Sequence, residues 1–225
     1  MKKVFLYIIL LLTPVVANGE QKKHEWARYN RYAEVNEKLQ KAPTVVFLGN
    51  SITEDWADRR PDFFESNNYA GRGISGQTSC EMLVRFQSDV VNLHPKAVAI
   101  LAGTNDLAQN IGYISLEHIL QNVISMCQLA KANKIIPIIC SVTPCKQYSW
   151  RKELQPADSI VALNKMLKTY AIKNHIIYVD YWSALAADDN GMKAEYTTDQ
   201  CHVTASGYEV MEDIILKALR KARIR

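Results

Sequence analysis

The chain alternates short apolar runs with longer stretches in which apolar residues recur every three or four positions. Thr44-Val45-Val46-Phe47-Leu48 is a continuous β-branched and aromatic run that stops at Gly49, as a strand buried on both faces would. Four more runs predict strands: a short one at 68–70, then 97–102, 135–142 and 176–181. Between them the spacing predicts helices over about 78–93, 115–132 and 156–173, with a last one over about 205–222. Ahead of the first strand, Trp26, Tyr29, Tyr32, Ala33, Val35 and Leu39 predict an amphipathic helix laid on the domain. Strands alternating with helices build βαβ units with right-handed crossovers and a parallel sheet. The expected fold class is therefore α/β, a three-layer α/β/α sandwich around a mainly parallel five-stranded sheet. No internal repeat, low-complexity tract or linker divides it.

Residues 1–17 read differently. Lys2 and Lys3 precede the apolar stretch from Val4 to Leu12, and small residues follow at Val15-Val16-Ala17, the pattern of a cleaved secretory leader. Val4 to Ala17 is shorter than the roughly 20 apolar residues that span a bilayer, so no stable membrane anchor is expected. The chain thus divides into a signal peptide, 1–17, and a single domain, 18–225, exported to the periplasm or outside the cell. Its composition, 48% hydrophobic and 22% charged, suits one globular domain. The formal net charge is +4 and falls to +2 once Lys2 and Lys3 leave with the leader, too near neutral for a nucleic-acid partner.

Five cysteines, Cys80, Cys127, Cys140, Cys145 and Cys201, are an odd count for an exported chain, so at least one stays unpaired. Cys140 and Cys145 flank Thr143-Pro144 and could approach one another. No C-x-x-C pair and no cysteine and histidine cluster of zinc spacing occurs. The cysteines are read as small buried hydrophobes, and no metal or cofactor is implied.

Chemistry gathers in four blocks. The first, Gly49-Asn50-Ser51, follows the first strand, where ligands collect beyond the carboxyl ends of a parallel sheet; a serine there can also serve merely as a cap. The second, Gly71-Arg72-Gly73-Ile74-Ser75-Gly76-Gln77-Thr78, is a glycine-rich loop leading into a helix, with backbone N–H groups free for an anion. Gly73 suits a tight turn as well as a functional role. The third, Gly103-Thr104-Asn105-Asp106, comes directly after the strand at 97–102, and Asn105 also suits a turn. The fourth, Asp199-Gln200-Cys201-His202, places an acid three residues ahead of a histidine, just before the last helix. Together they supply the parts of acyl transfer: a hydroxyl nucleophile, a general base with an orienting carboxylate, and donors for a developing oxyanion. His24, His94, His118 and His175 fall on helices or at element ends and are read as structural or surface residues.

The order of these blocks resembles the SGNH hydrolases, also called the GDSL lipase and acylhydrolase family, over roughly Thr44 to the C-terminus. It is similar in particular to secreted bacterial members that carry Gly-Asn-Ser-Ile-Thr, and more distantly to the platelet-activating-factor acetylhydrolase subunits. The resemblance implies the flavodoxin-like fold of that family, with Ser51 as nucleophile, His202 as base and Asp199 as its partner. It implies an oxyanion hole made by the N–H groups of Ser51 and Gly76 and the side chain of Asn105. Three positions depart from the family pattern: Asn50 stands in place of the aspartate of the family name, Val203 where a proline often follows the histidine, and Gly71 where an asparagine often begins the second block. The absence of a G-x-S-x-G elbow argues against the α/β-hydrolase fold.

The irregular segment 143–156 offers Tyr148, Trp150, Arg151 and Lys152 near a strand end. Asn50, Tyr148, Trp150 and Arg151 are expected to contact substrate; Trp150 suits either a sugar face or a packing anchor for its loop. The expected activity is a serine esterase acting on small acyl groups, acetyl above all, of a small-molecule or carbohydrate ester. A lysophospholipase or thioesterase is the alternative enzyme, and a silent secreted carbohydrate-binding module the alternative of another class.

Overall fold

The structure, a computed structural model, describes residues 26–225; the predicted leader lies outside them. Five strands, β1 (Val45–Gly49), β2 (Tyr69–Gly73), β3 (Ala97–Ile100), β4 (Ile136–Cys140) and β5 (Ile177–Val179), form one sheet in the order β2-β1-β3-β4-β5. Every pairing is parallel. The order reverses between β1 and β3, and that switch point is where a crevice opens beyond the strand ends. Register sets its rim: Gly49 lies beside Gly73, and Leu48 beside Ile100.

Successive strand residues face opposite layers, which is why both parities must be apolar. Val46, Leu48, Val98, Ile100 and Ile139 pack under α4 (Ser79–Val84), α5 (Phe86–Asp89), α7 (Leu116–Ala132) and α8 (Ala157–Lys173), through Met82, Phe86, Ile119, Val123, Ile160 and Leu163. Val45, Phe47, Ala97, Ala99, Ile138 and Cys140 pack under α2 (Ser51–Arg59), α3 (Pro61–Ser66), α9 (Trp182–Leu185) and α10 (Ala205–Lys221). On this second face Phe47, Trp56, Phe63, Phe64 and Tyr208 interlock, with Trp56 stacked on Tyr208 at 5.6 Å. The expected three-layer α/β/α architecture is the one observed.

Two predicted helices differ. Instead of one helix over 26–39 there is a 3₁₀ turn (Tyr29–Arg31) and the short α1 (Ala33–Glu37). Its apolar residues Trp26, Tyr29, Val35 and Leu39 are exposed. Polar contacts hold it down: Arg31 to Glu54 at 2.7 Å, Asn36 Nδ2 to Asp89 at 3.1 Å, Arg72 Nε to Asn36 Oδ1 at 2.9 Å, and the Tyr32 hydroxyl to the Gly73 carbonyl. The helix predicted over 78–93 breaks at Arg85 into α4, α5 and a 3₁₀ turn. Arg85 is wholly buried, and its guanidinium donates to the carbonyls of Gly49 (3.0 Å) and Arg72 (2.9 Å), to Gln77 (2.6 Å) and to Asp89 (2.9 Å). One cation thus ties the ends of β1 and β2 to the loop between β2 and α4.

Candidate active site

Ser51 is the first residue of α2, a nine-residue helix that the apolar spacing does not predict. Asn50 caps it, its Oδ1 accepting from the Ile52 N–H at 3.0 Å. As the N1 residue, Ser51 presents an N–H with no intrahelical partner. Gly73, at the end of β2, lies so close to this turn that a Cβ would stand 2.1 Å from the Glu54 nitrogen, so its glycine is required by packing. Gly76 turns at φ +81°, a conformation that costs a side-chain-bearing residue and costs glycine little.

Asn105 lies in the one-turn helix α6 (Thr104–Leu107) beyond β3 and is buried. Its Nδ2 donates to the Gln77 carbonyl at 3.0 Å, which fixes the plane of the amide and leaves its second hydrogen for the cleft. Asp106 beside it accepts from the N–H of Ser79 at 2.9 Å and from its hydroxyl, pinning the third block to the start of α4. Burial pushes the Asp106 carboxyl up, against the opposing pull of those Ser79 bonds.

The fourth block is a tight turn. Asp199 Oδ1 accepts from the N–H groups of His202 at 2.7 Å and of Cys201 at 3.0 Å, while Oδ2 meets His202 Nδ1 at 2.6 Å. The three-residue spacing is what lets one carboxylate bind both the backbone and the ring. Burial acts to raise the Asp199 pKa, but the bonds from the His202 ring and the two backbone N–H groups outweigh it and hold the carboxyl below its ordinary value. His202 Nε2 lies 3.0 Å from Ser51 Oγ across 151 residues of sequence. Two contacts keep that alignment: Tyr208 on α10 donates to the Ile52 carbonyl at 2.8 Å, and Glu212 accepts from Trp56 Nε1 at 3.2 Å and Arg60 Nε at 2.9 Å. An acid, an imidazole and a hydroxyl so joined can move a proton off the hydroxyl.

A profile of the GDSL-like Lipase/Acylhydrolase family matches residues 47–210 of this chain, a span that holds all four blocks. The chain belongs to that family. It is a hydrolase acting on esters. Among solved structures, a GDSL-like lipase from Bacteroides thetaiotaomicron VPI-5482 is similar with a TM-score of 0.85 at 45% identity, covering 88% of this chain and 100% of that one. A second solved structure, of an acylhydrolase from Bacteroides fragilis NCTC 9343, has a TM-score of 0.86 at 44% identity, covering 89% of this chain and 99% of that one. An acetylxylan esterase from Geobacillus stearothermophilus, with a TM-score of 0.64 at 16% identity over 80% of this chain and 94% of that one, shares the fold. The uncharacterized lipoprotein YqeF of Bacillus subtilis (strain 168) is 32% identical over 75 residues, a match that spans about a third of either chain.

In this member of the family, Ser51, Ser75, Gly76, Asn105, Asn110, Trp150 and His202 line one cleft of about 270 Å³. Trp150 packs within its own loop and also lines the cleft. Its ring rests on Tyr148 at 5.0 Å, and it faces the cleft 5.9 Å from the His202 ring, 40% exposed. The other three expected substrate contacts are corrected. Asn50 is fully buried, occupied as a helix cap. Tyr148 is fully buried, with its hydroxyl on the Thr104 carbonyl at 2.9 Å. Arg151 is turned to the Gln109 carbonyl at 3.1 Å and to Glu153, outside the cleft lining.

Sequence reasoning named Ser75 and Asp106 only as members of their blocks, without a role, and missed Asn110 in the lining and the supporting roles of Glu54 and Arg85, which nothing in residue type or spacing marked. All five cysteines are free, so the open question of a Cys140–Cys145 pair is answered by two buried thiols. Cys201 instead shares a hydrogen bond with Cys145, which together with burial raises its thiol well above the ordinary range. Among the described residues no group of His, Cys, Asp or Glu gathers as metal ligands, and no helix is long and apolar enough to cross a membrane.

Proposed function

We propose that this family member hydrolyses esters of short acyl groups through an acyl-enzyme on Ser51. The observation that carries the reading is the Ser51–His202–Asp199 chain, 3.0 Å and 2.6 Å at its two links. His202 takes the Ser51 proton as Oγ attacks the ester carbonyl, and Asp199 holds the ring tautomer and stabilises the imidazolium. The N–H groups of Ser51 and Gly76 and the Asn105 amide receive the oxyanion. Collapse expels the alcohol, protonated by His202; water, activated by the same ring, then releases the acid and frees Ser51.

Acyl size follows from room. The cleft, at about 270 Å³, falls below the roughly 300–1,000 Å³ of sites for drug-sized ligands, which supports acetyl over a long chain. The exposed indole of Trp150 beside it suits the face of a sugar bearing that acetyl group, and an acetylxylan esterase of the same fold supports a carbohydrate ester. Export fits the leader read at residues 1–17, and the match to a lipoprotein supports it.

The test is a panel of p-nitrophenyl esters from acetyl to palmitoyl, followed by acetylated xylan and lysophospholipid. Acetyl is expected to lead, and Ser51→Ala and His202→Ala to abolish turnover with circular dichroism unchanged. Asn105→Ala is expected to lower kcat by about 10²–10³, or roughly 3–4 kcal/mol. Full turnover by Ser51→Ala would end the assignment, and preference for palmitoyl would end the short-acyl reading.

A further inference from the structure

Asn110 was invisible in the sequence, yet it touches three parts of the cleft. Its backbone N–H donates to the Asn105 carbonyl at 3.1 Å, its Nδ2 donates to the Gly76 carbonyl at 3.0 Å, and its Oδ1 accepts from the Trp150 indole at 3.1 Å. The two ends of the amide are not interchangeable here. The indole N–H can only donate and the Gly76 carbonyl can only accept, so one orientation satisfies both and the flipped one satisfies neither. Each partner needs such a tether. Gly76 has no side chain to restrict its φ and ψ, and it carries an N–H expected to face the oxyanion. Trp150 projects from an irregular loop and is fixed in the cleft by the packing of Tyr148 on one side and by this single hydrogen bond on the other.

We propose that Asn110 is a positioning residue that couples the oxyanion donor at Gly76 to the aromatic wall at Trp150. One side chain thereby sets both the rate of acyl transfer and the acyl length that the cleft admits. The inference rests on the acylhydrolase mechanism proposed above and adds to it a determinant of acyl specificity. The donating end fixes the Gly76 carbonyl and, through the φ and ψ of Gly76, restrains its N–H in the preceding peptide plane, and hence kcat. The accepting end fixes the wall, and hence the preference among acyl chains.

The two arms separate by substitution. Asn110→Asp keeps an acceptor for the indole and loses the donor to Gly76, so kcat on p-nitrophenyl acetate is expected to fall by about tenfold or more. Its ratio of kcat/KM for hexanoate over acetate stays within about twofold of wild type, since the wall is retained. Trp150→Phe keeps a ring on Tyr148 and loses the indole donor; that ratio is expected to rise by about fivefold or more, with a smaller fall in kcat than in Asn110→Asp. Asn110→Ala is expected to do both, and it serves as the second probe of the Gly76 arm should Asn110→Asp fail to fold. A wild-type kcat in both Asn110 variants, or a wild-type ratio in Trp150→Phe, overturns the proposal. Wild-type turnover that survives Ser51→Ala would strike the acyl-enzyme itself, a result distinct from either of these.

Discussion

Glu54 lies in the first turn of α2 and accepts from Arg31 Nη2 at 2.7 Å and from the Ser75 N–H at 2.7 Å, one residue before Gly76. Burial acts to raise its pKa, and the bonds from Arg31 and Ser75 prevail, leaving the carboxyl below its ordinary value. Asp199 is lowered in the same sense. A carboxylate whose folded pKa lies below its unfolded one contributes stability above the unfolded value and loses it as pH falls through the folded one. The melting temperature is therefore expected to drop as the solution is acidified below about pH 4, where unfolded carboxyls protonate. In Glu54→Gln the Tm at neutral pH should be lower and its fall on acidification shallower, read by thermal melts between about pH 6 and pH 3. A fall as steep as wild type would remove Glu54 from the account.

At the level of elements, the break between α4 and α5 matters most. An uninterrupted helix over 78–93 would bury only an apolar stripe. Stopping it at Arg85 turns a cation inward instead, onto two carbonyls at the sheet edge. Burial lowers the Arg85 pKa against the opposing pull of Asp89. The guanidinium still leaves no easy substitute, because lysine cannot reach the same four partners from one planar fork. Arg85→Met takes a donor from two carbonyls and leaves the buried Asp89 carboxylate without its cation, with Asn36 still donating to it, and should cost about 3–5 kcal/mol of stability, seen as a lowered urea midpoint. A loss under about 1 kcal/mol would mean that the network contributes little.

For the whole molecule, the five thiols report on how the layers close. Cys127 and Cys140 are buried between sheet and helices, which pushes each thiol up to about 12, and Cys145 and Cys201 are buried together beside the triad turn. Cys80 alone among them is partly exposed. Maleimide titration of the native protein near pH 7.5 should count about one fast thiol, at Cys80, and five in denaturant. Rapid native labelling at Cys201 would show that the turn carrying His202 opens.

Element type and order were legible in the sequence because a strand buried on both faces must be apolar at every position, and helices over such a sheet must repeat every three or four residues. The four blocks were legible for a related reason: nucleophile, base, acid and oxyanion donors are restricted to a few residue types, and the ends of parallel strands are where the chain can present them. Helices α2, α3, α6 and α9 and the break at Arg85 were not, since short helices are held by tertiary contacts more than by periodicity. The positions of Asn50, Tyr148 and Arg151 were likewise settled only when the layers closed, because a polar side chain turns toward whichever partner lies nearest. Asn110 is the clearest case. Its chemistry is an ordinary amide, and its place between Gly76 and Trp150 exists only where three separate segments of the chain meet.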